Sequence, residues 1–317
     1  MDIKLKEVDK IEILTLQDNY IDLVSRDNSE IVQRALPIKD GVAKSSVLAE
    51  HGFSSIFTVT AGSQTRSILF DFGYSEHGAA FNSEALDADL ESIEIMALSH
   101  GHLDHVGGMG ELVSKIGKKD LKLVLHPAAF RNPRFLKIAD NRKIILPSLN
   151  RKKIENFGVT PVETKEPYAL LDGAVYFLGE IPRKTDFEKG AASLCYEENG
   201  VEKQDPINDD SSLVAHLKGK GLIILSGCAH AGIINTINYA KETSGIKHVH
   251  AVMGGFHLTG AEFEAIIEPT VNNLKEINPD YIIPTHCTGR KSILAIENEM
   301  PDKFIMNMSG TKMTFTS

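Results

Sequence analysis

The sequence predicts an α/β fold organised as a single domain over residues 1–317, and three observations carry that expectation. Short runs rich in β-branched residues alternate with longer stretches whose apolar positions recur at helical spacing. Two segments, 93–126 and 222–255, repeat the order strand, Gly- or His-rich turn, helix, strand. No Pro/Ser-rich linker divides the 317 residues, a length that suits one large domain or two ordinary ones.

The strands follow in order. Ile11–Leu16, Ser55–Thr60, Ser67–Phe72, Ile93–Ser99 and Leu121–His126 form a first group. Ala174–Leu178, Ser212–Leu217, Leu222–Ser226, Val249–Met253 and Tyr281–Pro284 form a second. Each is a β-branched run punctuated by Gly or Asp. Helices are predicted over Gly108–Ile116, Gly232–Thr243, Ala261–Ile277 and Lys291–Glu299. In the third of these, Phe263, Ile266, Ile267, Val271 and Leu274 keep a helical period. The stretch from Arg131 to Asp205 is richer in charge, Pro and Asn, which predicts a loop-rich insertion over the core.

Composition narrows the function classes. Hydrophobic residues make up 42% and charged residues 24%, an ordinary globular balance that can bury a sizeable core. No apolar run approaches the roughly 18–20 residues that span a bilayer, so no membrane role is expected. The start, MDIKLKEVDKIEIL, lacks the apolar stretch of a secretory signal, and three cysteines are too few for a disulfide framework. A reducing cytoplasm is the expected compartment. The net charge of −9, from 34 basic and 43 acidic residues, repels nucleic acid at long range. It leaves room for a small anionic substrate held by a few local cations. A homo-oligomer stays open.

The most informative segment is Ser99-His100-Gly101-His102-Leu103-Asp104-His105-Val106-Gly107-Gly108, between a strand and a helix. His100 and His102 are two apart, so an extended backbone points both to one side. Asp104 and His105 lie where the chain turns and can face the same point. Buried imidazoles without partners cost free energy, so this crowding points to a metal. Nitrogen and oxygen donors of this kind suit zinc, iron or manganese better than calcium.

His-x-His-x-Asp-His after a strand and before a helix resembles the signature of the metallo-β-lactamase superfamily. Asp71, in Ile68-Leu69-Phe70-Asp71-Phe72-Gly73, is similar to that family's strand-terminal aspartate, and His286, in Pro284-Thr285-His286-Cys287, to its last histidine ligand. The resemblance implies an αββα four-layer sandwich with one or two divalent metal ions at one rim, zinc first, with manganese or iron as alternatives. It implies that His100 and His102 serve one metal, and Asp104, His105 and His286 a second. Most members supply a further histidine from mid-chain and then a bridging Asp. Here His126 and His216 read as strand residues. Ser226-Gly227-Cys228-Ala229-His230 stands where the bridging Asp is expected. His230 is expected as a ligand. Cys228 is either a thiolate ligand or a small buried residue.

Gly179-Glu180-Ile181-Pro182-Arg183, Gly227–Ile233, Met253–Leu258 and Thr285–Arg290 narrow the resemblance to one subgroup. Its activity is synthesis of a dihydropterin–ribofuranosylaminobenzene phosphate in a methanopterin-type pathway. Cys287-Thr288-Gly289-Arg290 opens a helix, where Thr288 and Arg290 either hold a phosphate or form an ordinary cap. Arg183 either grips a second anionic group or is a solvated loop residue. His257 either works on substrate or metal or is a core histidine, and His248 and His250 read as structural. Three functions compete. The first is a metal-dependent transferase condensing a dihydropterin diphosphate with a ribofuranosylaminobenzene phosphate, with Asp104 or His257 shuttling protons. The second is a metal-dependent hydrolase of a phosphoester, lactone or amide. The third is a non-catalytic, metal-containing ligand sensor.

Overall fold

Along Lys10–Gln17 alternate side chains enter two different cores: Ile11 and Ile13 go to one, Leu14 and Leu16 to the other. Apolar residues on both faces require a covering layer on each side, and the computed structural model, which describes residues 2–36, 38–43, 45–139 and 142–317, supplies both. Among the described residues the first sheet has eight strands in the order Val159–Glu163, Leu121–Leu125, Ile93–Ala97, Gln64–Phe70, Ser54–Ala61, Lys10–Gln17, Lys312–Thr316 and Val32–Gln33. The second has seven, in the order Tyr168–Leu170, Val175–Phe177, Ser212–Leu217, Gly221–Ser226, Val249–Gly254 and Tyr281–Pro284, with Glu7–Val8 pairing alongside Ser212–Leu217.

The two sheets face each other across one core. Phe57, Ile68 and Phe70 from the first meet Leu213, Ile223 and Met253 from the second. Helices Gly78–Ala85, Met109–Ile116 and Arg151–Asn156 lie on the first sheet's outer face, with Leu112 and Ile154 in its core. Helices Ile233–Ser244, Ile267–Ile277 and Arg290–Glu299 cover the second, through Ile237, Leu274 and Ile296. The result is the αββα sandwich. No described helix is long and apolar enough to cross a membrane.

Two expectations are corrected. Residues 131–205 are not mainly loops. They hold Val159–Glu163, parallel to Leu121–Leu125, and Tyr168–Leu170 and Val175–Phe177 at the edge of the second sheet. They also supply all four strands of an antiparallel sheet, Arg134–Ala139, Arg142–Leu146, Leu194–Glu198 and Val201–Gln204. Arg142–Leu146 and Val201–Gln204 are almost wholly solvent-exposed, so no buried face imposes an apolar alternation there. The helix expected from Ala261 begins at Ile267, after a 3₁₀ turn at Glu264–Ile266. Pro269 explains this: it lacks an N–H and fits only the first turn, so an upstream start would put it in the interior.

In both sheets the chain leaves the carboxyl ends of parallel strands toward one rim. Gln64–Phe70, Ile93–Ala97 and Leu121–Leu125 run parallel in the first sheet; Gly221–Ser226, Val249–Gly254 and Tyr281–Pro284 run parallel in the second. Loops at such ends are where α/β folds hold ligands.

Candidate metal centre

The histidine turn follows Ile93–Ala97 and enters the short helix Leu103–Val106. It is clamped against the loop after Gln64–Phe70: Gly107 N–H donates to Gly73 O and Gly108 N–H to Phe72 O. A Cβ at Gly107 would fall on the Tyr74 carbonyl oxygen, so only glycine permits this approach. His102 is extended (φ −77°, ψ 153°), and its Nδ1 lies 3.1 Å from His100 Nε2.

Three imidazoles have Nδ1 occupied and turn Nε2 inward. His105 Nδ1 is 2.6 Å from Asp71 Oδ2, His100 Nδ1 is 3.0 Å from Ser99 Oγ, and His286 Nδ1 is 3.2 Å from Thr285 Oγ1. Asp71 also accepts Ser99 N–H and Oγ–H. Such outer partners fix ring orientation and tautomer. Asp71, Ala229 and His257 have positive φ (58°, 48° and 46°), sparsely populated for non-glycine residues; Ala229 and His257 lie in loops that carry donors, and Asp71 in the loop that holds His105.

From the second sheet come Cys228 and His230 after Gly221–Ser226, His257 after Val249–Gly254, and His286 after Tyr281–Pro284. Cys228 Sγ lies 3.1 Å from both His105 Nε2 and His286 Nε2, and 4.0 Å from Asp104 Oδ2. His230 packs against His100 and His102 with ring centroids 4.8 and 4.9 Å away. Two donor sets result: Asp104, His105, Cys228 and His286 converge within 4.8 Å, as do His100, Cys228 and His230. Cys228 belongs to both. His100, His102 and Asp104 form a third overlapping group.

Burial, and next the neighbouring His105, pushes the His100 imidazole well below its ordinary value. Burial and the adjacent His257 do the same to His230. Both are therefore neutral and keep a lone pair for a cation. Burial works to raise the Asp104 carboxyl, but His105 and His286 hold it well below the carboxylate range. Burial pushes the Cys228 thiol well up; a bound cation reverses this, because a coordinating thiol loses its proton.

The donors fit a metal. His230 Nε2 and His257 Nδ1 are buried without a hydrogen-bond partner, a cost that a cation at the cluster would remove for His230. Imidazoles with a carboxylate and a thiol match zinc or iron rather than calcium.

All six residues expected to hold metal, His100, His102, Asp104, His105, His230 and His286, are brought to this rim. His257 joins them, its ring 4.1 Å from His230, and with Cys228 and Cys287 it makes a further cluster. Arg183 donates from Nη2 to His230 O at 3.0 Å, while its buried Nε has no partner. Thr288, expected to hold a phosphate or cap the helix, is 0% exposed and its hydroxyl accepts Phe256 N–H, so it packs the rim instead of presenting a free hydroxyl at the surface. Arg290 is exposed at the start of Arg290–Glu299 and makes no ion pair among the described residues.

Sequence reasoning missed His51 and the anchoring acids. His51 Nε2 lies 3.6 Å from Asp104 Oδ2, with its exposed ring edge-on to His286. Asp18 accepts His286 N–H at 2.8 Å, and burial pushes its carboxyl up to about 6. Asp209 accepts Gly101 N–H at 2.8 Å and pairs with buried Arg134, which also pairs with Asp205. Isolated acids like these carry no local pattern. A groove of about 870 Å³ lies elsewhere, between residues 28–36 and 85–89, and no histidine or cysteine lines it.

Comparison with known proteins points to the same fold. Residues 50–184 match the metallo-beta-lactamase superfamily model. The chain is 31% identical, over 98% of both lengths, to the 7,8-dihydropterin-6-methyl-4-(beta-D-ribofuranosyl)-aminobenzene-5'-phosphate synthase of Methanocaldococcus jannaschii. It is 32% identical to an uncharacterized protein of the same organism, covering 80% of this chain and 90% of that one. Among solved structures, Tm1679, a metal-dependent hydrolase of the beta-lactamase superfamily, superposes with a TM-score of 0.73 at 22% identity, covering 97% of this chain and 100% of that one. YhfI from Bacillus subtilis, a metallo-beta-lactamase fold protein, gives 0.51 at 11% identity, covering 97% and 100%.

Proposed function

The chain belongs to the metallo-β-lactamase superfamily, and from that premise we propose that it is a metal-dependent transferase joining a dihydropterin diphosphate to a ribofuranosylaminobenzene phosphate. The observation that carries this reading is the likeness to the synthase from end to end, 31% identity over 98% of each chain. In the reaction the arylamine nitrogen forms a bond to the pterin methylene carbon, the carbon–oxygen bond to diphosphate breaks, and the nitrogen loses a proton.

His100, His102, His230 and Cys228 would hold one cation, and Asp104, His105, His286 and Cys228 a second. When bound, the metal supplies positive charge against an anionic leaving group. The remaining work falls to side chains. Arg183 has a buried Nε free for a phosphate or diphosphate oxygen beside His230. His257 Nδ1 has no partner and offers a place for the arylamine proton. Asp104 stays ionised, keeps His105 and His286 in place, and lines the solvent side together with His51. In a chain with net charge −9, such local cationic groups are what admit a polyanionic substrate.

The test is diphosphate release from purified protein supplied with zinc, manganese or iron. The proposal requires release only when both the pterin diphosphate and the aminobenzene ribotide are present. Turnover of phosphodiesters or lactones without such condensation would replace it with a hydrolase. Ligand binding with no turnover would leave a sensor.

A further inference from the structure

We propose a second, separate divalent-cation site formed by His248, His250 and Asp280 at the opposite end of the second sheet. Val249–Gly254 and Tyr281–Pro284 run parallel, and the rim donors His257 and His286 follow their carboxyl ends. His248, His250 and Asp280 sit at the amino ends instead, about 20 Å of strand away for six residues.

The strand geometry aims all three at one point. Pairing of Gly221–Ser226 with Val249–Gly254 shifts between Leu222 and Ile223, which face Val249 and Ala251, so His250 is an extra, bulged residue. Bulges are uncommon in parallel pairs, and they re-aim side chains. His248 Nε2 and His250 Nδ1 reach the same carboxylate oxygen, Asp280 Oδ2, at 2.8 and 2.7 Å. The ring of His250 is fixed edge-on by Tyr281 and Phe315, with centroids 5.3 and 5.6 Å away. Asp280 is tied by its own N–H to Val249 O, and Lys303 donates to Pro279 O rather than to this carboxylate. The three donor atoms lie within 4.8 Å of one another.

Metal–ligand bonds to imidazole and carboxylate are about 2.0–2.2 Å, so three donors around one ion sit a little over 3 Å apart. Opening the present contacts by a few tenths of an ångström admits the ion. Two imidazoles and a carboxylate select a borderline transition metal such as zinc over magnesium or calcium. His248 is half exposed, which leaves a path for entry and positions for water. The competing description is a metal-free pair of His–Asp contacts bracing two strands, and the two differ in zinc stoichiometry.

The experiment dialyses the whole protein against low-micromolar zinc and counts metal per chain, alongside His248→Gln, Asp280→Asn and, as a control on the rim, His102→Ala. The proposal expects His248→Gln and Asp280→Asn each to hold one zinc fewer than the unsubstituted chain, with an unchanged circular-dichroism spectrum. His248→Gln alters a half-exposed side chain, so it keeps the reading available even if Asp280→Asn fails to fold. His102→Ala combined with His248→Gln should lose metal additively. Equal zinc in the unsubstituted chain and His248→Gln would overturn the second site, whatever the rim variant does.

Discussion

The two sheets furnish the metal centre in different ways. The first delivers His100, His102, Asp104 and His105 from one turn, clamped to its own sheet through Asp71, Phe72 and Gly73. The second delivers Cys228, His230, His257 and His286 from three separate strand ends. The first half of the centre is therefore local, while the second exists only when three strands are in register and the sheets are packed face to face. Contacts that cross between the sheets should then control the whole centre, and contacts within the turn only part of it.

The largest effect is expected at Asp209. It precedes the second-sheet strand Ser212–Leu217, yet it holds Gly101 of the first-sheet turn and the buried Arg134. Asp209→Asn leaves the Arg134 guanidinium short of a buried partner and should cost about 3–5 kcal/mol in a urea melt of metal-free protein. The pH dependence has a definite sign. Burial works to raise the Asp209 carboxyl, but Arg134 lowers it from 3.8 to about 2. Its contribution is thus complete above about pH 4 and is lost as pH falls through 2; the asparagine variant should lack that acid limb.

At the turn's anchor to its own sheet, Asp71→Asn should lower metal affinity by about 10–100-fold, since His105 loses the carboxylate that orients it. Competition with a chromophoric chelator would measure this. A loss at the first metal equivalent as large as at the second would break the distinction between the halves.

The smallest effect belongs to the exposed cross-sheet tie, where Arg66 of the first sheet pairs with Glu94 and with Asp172, at the edge of the second. Arg66→Ala should cost no more than about 1 kcal/mol, as surface pairs do, and leave metal content unchanged. Metal loss in Arg66→Ala would show that the sheets are coupled through their surface and not through Asp209.

The same contrast explains what could be read before the structure. His-x-His-x-Asp-His is compressed into six residues, so its convergence is a property of one turn and is legible in the sequence. The strand cores Ile93–Ala97 and Ser212–Leu217 are equally local. Lys312–Thr316 is a strand absent from the sequence expectations: five residues with only Met313 and Phe315 buried give too short a pattern to stand out, although it lies between Lys10–Gln17 and Val32–Gln33. The place of Cys228 between both donor sets depends on two sheets meeting, which no spacing encodes. Thr288 illustrates the converse. A hydroxyl at a helix start suggests a ligand, but Phe256 arrives from a distant strand end and takes it. His51 joins the rim only because Phe53 N–H donates to Asp104 O, and a Cβ at Gly52 would collide with that same oxygen.

The central claim is that side chains from both sheets share one centre with Cys228 at its middle. X-ray absorption of the zinc-loaded protein tests it most directly. The account predicts imidazole nitrogens near 2.0 Å together with one sulfur at about 2.3 Å, and the loss of that sulfur in Cys228→Ser. A shell of nitrogen and oxygen only, or a sulfur that persists in Cys228→Ser, would contradict it.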